Sequence, residues 1–400
     1  MAWQTSTTMK MGVFVAVLIC ALPSAGAAQI LAPQAEPGSS QTDTKIETAV
    51  DEVAQKALLD KEAPGLAIAV SRNGRLQFLR AYGSADLEND VAVTPNTVFE
   101  IGSITKEFTA TAILLLAERG KLELDDSIEA YFPKFPRSNE VTIRQLLNHT
   151  SGIRNFTNSP GFLETIAVKE NSSEEMLSFI VGDGDAFDFD PGTAFSYSNS
   201  GYYMLGLIVE EVSGSSYETF LAQNILIPQN FDDLKVEDLT EILPHRSEGY
   251  DKDEASVFGF KNANYISMSA AGAAGAMRST AGDLARWHDL LLAGKILNAN
   301  SLNLMLTPGR LADGTLPSKQ DGAPASPGVG YGFGIIMGDF GGHRTIGHGG
   351  GIFGFNANVT SFPDQNVTIV LLTNSSTGTL NIKAPLYEAI LANMSAPTER

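Results

Sequence analysis

Strand-forming segments near the two ends of the chain enclose a long helical middle, and this order constrains the fold more than any other feature. Near the start, two apolar runs flank Asn73-Gly74, a dipeptide that favours a tight turn between paired strands. We therefore predict a hairpin formed by residues 66–70 and 76–79. Beyond Gly330, strands are predicted at 331–337, 351–362 and 367–372, with a turn at 363–366.

The middle of the chain and its two flanks show helical spacing of apolar residues. Helices are predicted over 46–59, 108–117, 143–147, 202–212, 217–225, 280–292 and 384–394. We expect a mixed α/β (α+β) fold, an antiparallel sheet flanked by helices, in which both chain ends build the sheet and a mostly helical part is inserted. The folded region would cover 45–395, with the sheet subdomain at about 45–115 and 295–395 and the helical subdomain at about 116–294.

The first 28 residues have the features of a cleaved signal peptide. Lys10 provides the positive charge, residues 11–22 a short apolar core, and residues 25–28 the small side chains that cleavage needs. We expect a periplasmic or secreted protein with no membrane insertion after cleavage, followed by a flexible leader at 29–44. The bulky residues before Cys20 argue against a lipidated cysteine, which stays an alternative.

Charge and cysteine content exclude several function classes. The net charge of −19 argues against nucleic acid as a partner, because its recognition rests on basic surfaces. Cys20 is the single cysteine, so after signal cleavage we expect no disulfide, thiol catalysis or zinc–thiolate site. The histidines are widely spread without H-E-x-x-H spacing, and we predict no metal and no cofactor. The oligomeric state is left open.

Ser103-Ile104-Thr105-Lys106 precedes the apolar segment 108–117, which ends at Arg119-Gly120. On a helix, residues three apart share a face, so the Ser103 hydroxyl and the Lys106 amine can meet. Serine is a weak nucleophile until a neighbouring base activates it. Its place at a helix start also suits a developing oxyanion. The alternative is an N-cap serine with a solvated lysine.

Two further motifs carry reactive side chains. Tyr197-Ser198-Asn199 follows a turn and precedes an apolar helix; a tyrosine near a buried ammonium could act as a base, and the alternative is a core tyrosine beside an N-cap. His348-Gly349-Gly350-Gly351 precedes a strand, where small residues would let a substrate backbone lie along the edge. The alternative there is a glycine-rich turn with an incidental histidine.

In this order, the three motifs resemble those of the serine β-lactamase and penicillin-binding-protein superfamily, more closely its class C β-lactamase, D,D-peptidase and esterase branch. Residues 146–153, Leu-Leu-Asn-His-Thr-Ser-Gly-Ile, resemble the family's L-L-x-H-T-S-G-I segment. Residues 331–334, Tyr-Gly-Phe-Gly, resemble its Y-G-x-G strand, and the resemblance runs from about 45 to 395. It implies a β-lactamase/transpeptidase-like fold.

The resemblance also implies roles for individual residues. Ser103 would be the acylated nucleophile, Lys106 would keep it poised, and Tyr197 would carry the proton to the leaving group. Asn199 would bind the substrate amide and orient Lys106, while His348 would contact a substrate carboxylate or assist the proton relay. The backbone N–H groups of Ser103 and Gly351 would form the oxyanion hole, and Gly349 and Gly350 would bind substrate.

One departure from the family pattern shapes the functional prediction. The familiar third motif begins with lysine, whereas here the titratable imidazole of His348 takes that position. The class A deacylation motif E-x-x-L-N is also absent from the sequence. We therefore expect a secreted serine hydrolase acting on a peptide or other small molecule, of the D,D-carboxypeptidase or D-amino-acid peptidase type. Linear non-ribosomal peptides are among the substrates that the resemblance suggests.

Three alternatives stay open: a carboxylesterase of the same fold, a β-lactamase, and a non-catalytic sensor that is acylated without turnover. Specificity would come from loops framing the cleft, which we place within 133–136, 155–161 and 251–265. Nearby aromatic residues could line an apolar pocket, and core packing is the alternative use for them: Phe156, Phe162, Phe258, Phe260 and Tyr265.

Overall fold

The computed structural model describes residues 41–317, 330–377 and 379–393. The α-helices span Gln41–Leu59 (α1), Thr105–Glu118 (α2), Ile143–Leu147 (α3), Ser173–Val181 (α4), Asn199–Ser213 (α5), Tyr217–Leu221 (α6), Met268–Gly275 (α7), Ala281–Leu292 (α8), Ala299–Met305 (α9) and Leu380–Asn393 (α10). The strands span Gly65–Arg72 (β1), Arg75–Asp86 (β2), Val91–Ala92 (β3), Phe99–Glu100 (β4), Lys235–Val236 (β5), Tyr250–Lys252 (β6), Phe260–Asn262 (β7), Met277–Ser279 (β8), Gly330–Tyr331 (β9), Ile336–Phe340 (β10), His343–Ile352 (β11), Phe355–Phe362 (β12) and Val367–Thr373 (β13).

Strands from both chain ends form one large antiparallel sheet. Within the described residues its order is β3-β2-β1-β13-β12-β11-β10-β9. The two halves of the sheet join where β1 pairs with β13, with Leu66 opposite Thr373. The predicted fold class, an antiparallel sheet built from both ends and flanked by helices, is confirmed.

The β1–β2 hairpin forms where the sequence predicts it. Asn73 and Gly74 both have positive φ angles, 53° and 70°. A two-residue turn with positive φ at both positions matches the twist of the strands it joins. β2 extends beyond the predicted strand as far as Asp86.

Helices cover both faces of the large sheet. On one face, Leu66 and Ile68 of β1 pack in a cluster with Val50 of α1 and Leu386 of α10. On the other face, α8 is packed against the sheet, with Trp287 in the second apolar cluster. Because β1 is covered on both sides, truncating a core residue such as Ile68 to alanine would cost about 2–5 kcal/mol.

The first turn of α2 is anchored by a small second sheet of β4, β8 and β5. The N–H of Ile101 donates to the Met277 carbonyl at 2.9 Å. The Thr105 hydroxyl accepts from the N–H of Met277 at 3.0 Å and donates to the Gly102 carbonyl at 2.7 Å. These hydrogen bonds therefore hold the turn Gly102–Ile104, which carries Ser103 and directly precedes α2.

Several boundaries differ from the predictions. Residues 41–44, predicted as leader, form the first turn of α1. The predicted strand at 331–337 is split because Gly334 turns the chain with a φ of 68°, and a Cβ there would lie 2.3 Å from the Lys106 carbonyl. The helix predicted at 217–225 becomes α6 followed by a π-turn at Ala222–Leu226.

The predicted signal peptide at 1–28 and the predicted leader, as far as residue 40, lie outside the described residues. The subdomain boundaries at about 116 and 294 stay a prediction, although α8, placed in the helical part, packs on the sheet. Among the helices that the structure describes, none combines the length and apolarity that crossing a membrane requires.

Candidate active site

Ser103 and Lys106 meet at the start of α2 as the spacing predicts. Lys106 Nζ lies 3.1 Å from Ser103 Oγ. Ser103 sits in the 3₁₀ turn Gly102–Ile104, which leads directly into α2. The contact places an amine within hydrogen-bonding distance of the hydroxyl that it would have to activate.

The Lys106 amine is fully buried and has three oxygen neighbours. Besides Ser103 Oγ, Nζ lies 2.8 Å from Asn199 Oδ1 and 2.7 Å from the Ala274 carbonyl. Burial lowers the pKa of Lys106 well below its ordinary value, because the charged form loses its hydration. A lysine whose pKa is lowered in this way can supply the neutral amine that a general base requires.

The Ala274 carbonyl reaches Lys106 because α7 is broken. Gly272 has φ 45° and ψ −145°, which are not helical values. The two carbonyls after this break both accept from side chains of α2: Ala273 from the Thr109 hydroxyl at 2.6 Å and Ala274 from Lys106. Sequence reasoning missed this contact, because a backbone acceptor carries no side-chain signal.

Asn199 is the first residue of α5, whose N-cap is Ser198. Its Oδ1 accepts from Lys106, as the predicted orienting role requires, and its Nδ2 donates to Thr157 Oγ1 at 3.2 Å. The Thr157 hydroxyl donates in turn to Asn155 Oδ1 at 3.0 Å, which also accepts from the Asn199 backbone N–H at 3.1 Å. Asn155 and Thr157 were not singled out from the sequence, although their loop was predicted to frame the cleft.

Tyr197 lies beside Lys106 and is held by His149. The centroid of the Tyr197 ring is 4.8 Å from Lys106 Nζ. The His149 carbonyl accepts from the Ser196 N–H at 3.0 Å, and His149 Nδ1 accepts from the Ser198 N–H at 3.2 Å. The rings of His149 and Tyr197 are 4.4 Å apart. His149 thus fixes the backbone on both sides of Tyr197.

His348 is buried, and both of its ring nitrogens are in use. Its Nδ1 donates to the Gly349 carbonyl, so Nε2 accepts from the Tyr331 hydroxyl at 3.0 Å. Burial, together with the nearby Lys106, lowers the pKa of His348 to about 4. The predicted contact of His348 with a substrate carboxylate therefore lacks a free donor. Its ring lies 6.2 Å from the Tyr197 ring, where the alternative prediction, a role in a proton relay, would place it.

The glycines of the third motif differ in what they touch. A Cβ on Gly350 would lie 1.9 Å from the Ile101 carbonyl, so this glycine lets β11 pack against the turn that carries Ser103. Its small size serves this packing, and neither Gly349 nor Gly350 lines the cleft. Gly351 does line it together with Ser103, as an oxyanion site formed by their backbone N–H groups requires.

A cleft of about 450 Å³ opens beside Ser103. Its lining is mostly apolar and contains Ser103, Phe156, Thr157, Phe162, Leu163, Asn199, Ile266, Ala270, Ala271, Ala274, Gly275, Gly351, Ile352, Phe353 and Ser376. Phe156 and Phe162 thus line the cleft, which is one of the two uses considered for the aromatic residues from the sequence. Phe258 and Tyr265 are instead exposed and Phe260 is buried away from the cleft.

A second buried polar group lies next to Lys106 on α2. The Glu107 carboxylate accepts from Trp287 Nε1 at 2.9 Å and lies 3.5 Å from His288 Nε2. These contacts tie α2 to α8 and hence to the large sheet. Among the described residues, no group of three His, Cys, Asp or Glu side chains is placed to hold a metal ion.

Comparisons with known proteins show the family to which the chain belongs. Residues 44–392 match the sequence profile of the family described as Beta-lactamase. The chain is 27% identical over 322 residues to penicillin-binding protein 4* of Bacillus subtilis (strain 168), covering 78% of this chain and 68% of that protein.

Solved structures with the same fold include two amide hydrolases. One is a D-amino acid amidase from Ochrobactrum anthropi SV3 complexed with D-phenylalanine, with a TM-score of 0.75, 26% identity, and coverage of 87% of this chain and 99% of that one. The other is a D-stereospecific amidohydrolase from Streptomyces sp., with a TM-score of 0.71, 27% identity and coverage of 87% and 99%. The chain belongs to the beta-lactamase family and has the serine hydrolase fold that β-lactamases and penicillin-binding proteins share.

Proposed function

We propose that the chain hydrolyses amide or peptide bonds through an acyl-enzyme on Ser103, in the manner of a D-amino-acid peptidase or D,D-carboxypeptidase. The observation that carries the proposal is the environment of Lys106 Nζ. A neutral amine has two N–H donors and one lone pair. Asn199 Oδ1 and the Ala274 carbonyl can only accept, so they take both donors, and the lone pair is left facing the Ser103 hydroxyl.

The first step follows from this arrangement. Ser103 Oγ attacks the substrate carbonyl carbon as its proton passes to the Lys106 amine, and the carbonyl electrons move to the oxygen. The N–H groups of Ser103 and Gly351 stabilise that oxyanion. The tetrahedral intermediate then collapses: the bond to the leaving nitrogen breaks, and Tyr197 passes the proton on to that nitrogen, leaving an ester on Ser103.

The second step reverses these roles with water. A water molecule loses a proton to the Tyr197–Lys106 pair and attacks the ester carbonyl, and the proton returns to Ser103 Oγ as the product acid leaves. His149 supports the step by holding the backbone on both sides of Tyr197. Asn199 supports it by keeping Lys106 Nζ in place.

Amide hydrolysis is favoured by the two structural neighbours, whose descriptions name a D-amino acid amidase and a D-stereospecific amidohydrolase. The test compares the wild type with Ser103→Ala on the amides of D- and L-phenylalanine and on a peptide ending in D-Ala-D-Ala. We expect turnover that Ser103→Ala removes, with an unchanged circular dichroism spectrum. Turnover that survives in Ser103→Ala would refute the proposed nucleophile.

A carboxylesterase is the second candidate, because the cleft beside Ser103 is wide and largely apolar. Short p-nitrophenyl esters measured beside the amides separate the two. A β-lactamase is less favoured, since a buried neutral imidazole stands where a cation would hold the β-lactam carboxylate. A sensor is less favoured because the Ser103 hydroxyl, the Lys106 amine and the Tyr197 ring lie close together.

We also propose export to the periplasm or the medium, with a small molecule or peptide as the partner. The support is the sequence of residues 1–28, with its positive charge, short apolar core and small cleavage-site residues. Determining the N-terminal residue of the protein recovered from periplasmic and culture fractions tests this. A new N-terminus near Ala28 or Gln29 is expected, and an intact Met1 would contradict it.

A further inference from the structure

We propose that His288, on α8, is a positioning residue: its imidazole is protonated at both nitrogens and neutralises the buried Glu107 carboxylate, so that the lysine base next to Glu107 stays uncharged. His288 would act through Lys106, so this role rests on the proposed function. The charge of His288 itself follows from hydrogen-bond geometry. The two buried ionisable groups, His288 and Glu107, take no part in the reaction steps described above.

A line of hydrogen bonds runs from His288 across two strands of the large sheet to Asp289. His288 Nδ1 lies 2.6 Å from Ser361 Oγ, on β12. Ser361 Oγ lies 2.6 Å from Thr368 Oγ1, on β13. The Thr368 hydroxyl donates to Asp289 Oδ1 at 2.8 Å. Because a carboxylate can only accept, Asp289 sets the direction of every hydrogen bond in the line.

This direction places a proton on Nδ1 of His288. Each hydroxyl in the line has one hydrogen to give. Thr368 gives its hydrogen to Asp289, so the contact between Thr368 and Ser361 uses the hydrogen of Ser361. The contact between Ser361 and His288 must then use a hydrogen on the imidazole. Nδ1 is therefore protonated, and only the state of Nε2 separates the neutral ring from the imidazolium.

Nε2 of His288 faces the carboxylate of Glu107. It lies 3.5 Å from Glu107 Oε1, and neither atom has a hydrogen-bonding partner among the described residues. Glu107 Oε2 accepts from Trp287 Nε1 at 2.9 Å, and both ionisable side chains are fully buried. With an unprotonated Nε2, a buried carboxylate would face a lone pair, which is strongly unfavourable. A proton on Nε2 satisfies both atoms and cancels the charge.

The charge of Glu107 matters because Lys106 is its neighbour on α2. Burial and Lys106 lower the pKa of His348, and the negative charge of Glu107 acts in the opposite direction, so the field of this carboxylate reaches the active site. An uncompensated carboxylate would favour the ammonium form of Lys106, which cannot accept the proton of Ser103. The ionisable groups that the structure places around the pair are Lys106 on α2, His348 on β11 and Asp289 on α8.

Nitrogen-15 NMR of the full chain with labelled histidine tests the charge of His288 without any need for turnover. The chain has five histidines, and the signal of His288 is the one lost in His288→Gln. If that variant does not fold, the signal that changes in Glu107→Gln identifies it. At about pH 7 both ring nitrogens of His288 should be protonated, and Nε2 should lose its proton in Glu107→Gln, where no carboxylate favours the cation. A single ring N–H on His288 in the wild type would overturn the proposal.

The pH profile of kcat/KM tests the effect on Lys106, with the butanoyl ester of 3-hydroxybenzamide as substrate. His288→Gln keeps a neutral donor for Glu107 and removes the cation. Its acid limb should move to higher pH by about one unit, the shift expected of a charge on a neighbouring residue at an effective dielectric constant of about 20. Adding Glu107→Gln also removes the carboxylate and should return the limb to its wild-type position.

The two measurements separate this role from a structural one and from the proposed function. Lost stability alone would lower kcat/KM without moving the limb, so an unmoved limb in folded His288→Gln would overturn the role of His288 even with Ser103-dependent turnover intact. A limb that stays displaced in the double variant would contradict it too, because the carboxylate would not be the cause. If Ser103→Ala keeps full activity, the proposed function falls, and NMR still decides the charge of His288.

Discussion

Replacing Asn199 by aspartate should raise the pKa of Lys106 and so oppose the effect of burial, which lowers it. In the wild type, Nζ lies 2.8 Å from a neutral oxygen of Asn199, and burial lowers its pKa. A carboxylate at the same place favours the ammonium and should raise the pKa of Lys106 by about 1–3 units. Each unit corresponds to about 1.4 kcal/mol and to a tenfold smaller fraction of neutral amine below the pKa. Aspartate is also acceptable at the start of a helix, so α5 should form.

The assay is the pH profile of kcat/KM, whose acid limb reports the base of the free enzyme. We expect the limb of Asn199→Asp to move to higher pH by about 1–3 units, with the high-pH plateau retained. Asn199→Leu is the matched control: it removes the oxygen without adding charge, destabilises the ammonium and should move the limb to lower pH. Limbs that stay in place, or that move in the same direction in both variants, would refute Lys106 as the base.

Three further predictions concern stability. Because burial lowers the pKa of Lys106 in the folded protein, the unfolded chain binds the proton more tightly. The free energy of unfolding of the wild type should therefore rise relative to that of Lys106→Met between pH 7 and 10, by at most about 1.4 kcal/mol per pH unit. Denaturant titrations that give the two proteins the same pH dependence would contradict this. Gly350→Ala should lower the free energy of unfolding by about 1–3 kcal/mol and reduce kcat, because the added Cβ would meet the Ile101 carbonyl. Gly349→Ala is the control, since there is room for its Cβ and its stability should change little. Equal losses of stability in thermal melts of the two variants would contradict the packing role of Gly350. His348 has a pKa of about 4 in the folded protein and near 6.5 in the unfolded chain, so between these pH values only the unfolded chain takes up the proton. The free energy of unfolding of the wild type should therefore fall by up to about 3 kcal/mol from pH 6.5 to pH 4, relative to that of His348→Asn. The same acid sensitivity in His348→Asn would contradict this prediction.

The parts of the fold that could be predicted are those set by local sequence. Asn73-Gly74 allows only a few backbone conformations, and the hairpin follows from them. α2 ends just before Gly120, where the helix stop was predicted, because glycine accepts the positive φ that ends a helix. Ser103 and Lys106 meet because helical geometry alone brings them together.

The parts that could not be predicted depend on contacts between distant segments. The Ala274 carbonyl reaches Lys106 only because α7 breaks at Gly272 and packs against α2. Of the two roles predicted for His348, contact with a substrate carboxylate or assistance to a proton relay, the first lacks a free donor because the pairing of β9 with β10 brings the Tyr331 hydroxyl to its ring. The close approach of Gly350 to the Ile101 carbonyl depends on how β11 packs against the turn that carries Ser103. Such contacts depend on tertiary packing, which a single sequence does not specify locally.

The most direct test of the account is to follow the acyl group itself. Wild type and Ser103→Ala would be mixed with the butanoyl ester of 3-hydroxybenzamide, quenched with acid within the first turnovers, and digested for mass spectrometry. We predict a butanoyl group on the peptide containing Ser103 in the wild type, which disappears as substrate is exhausted, and none in Ser103→Ala. Hydrolysis at the same rate by both proteins, or an acyl group on another residue, would contradict the account.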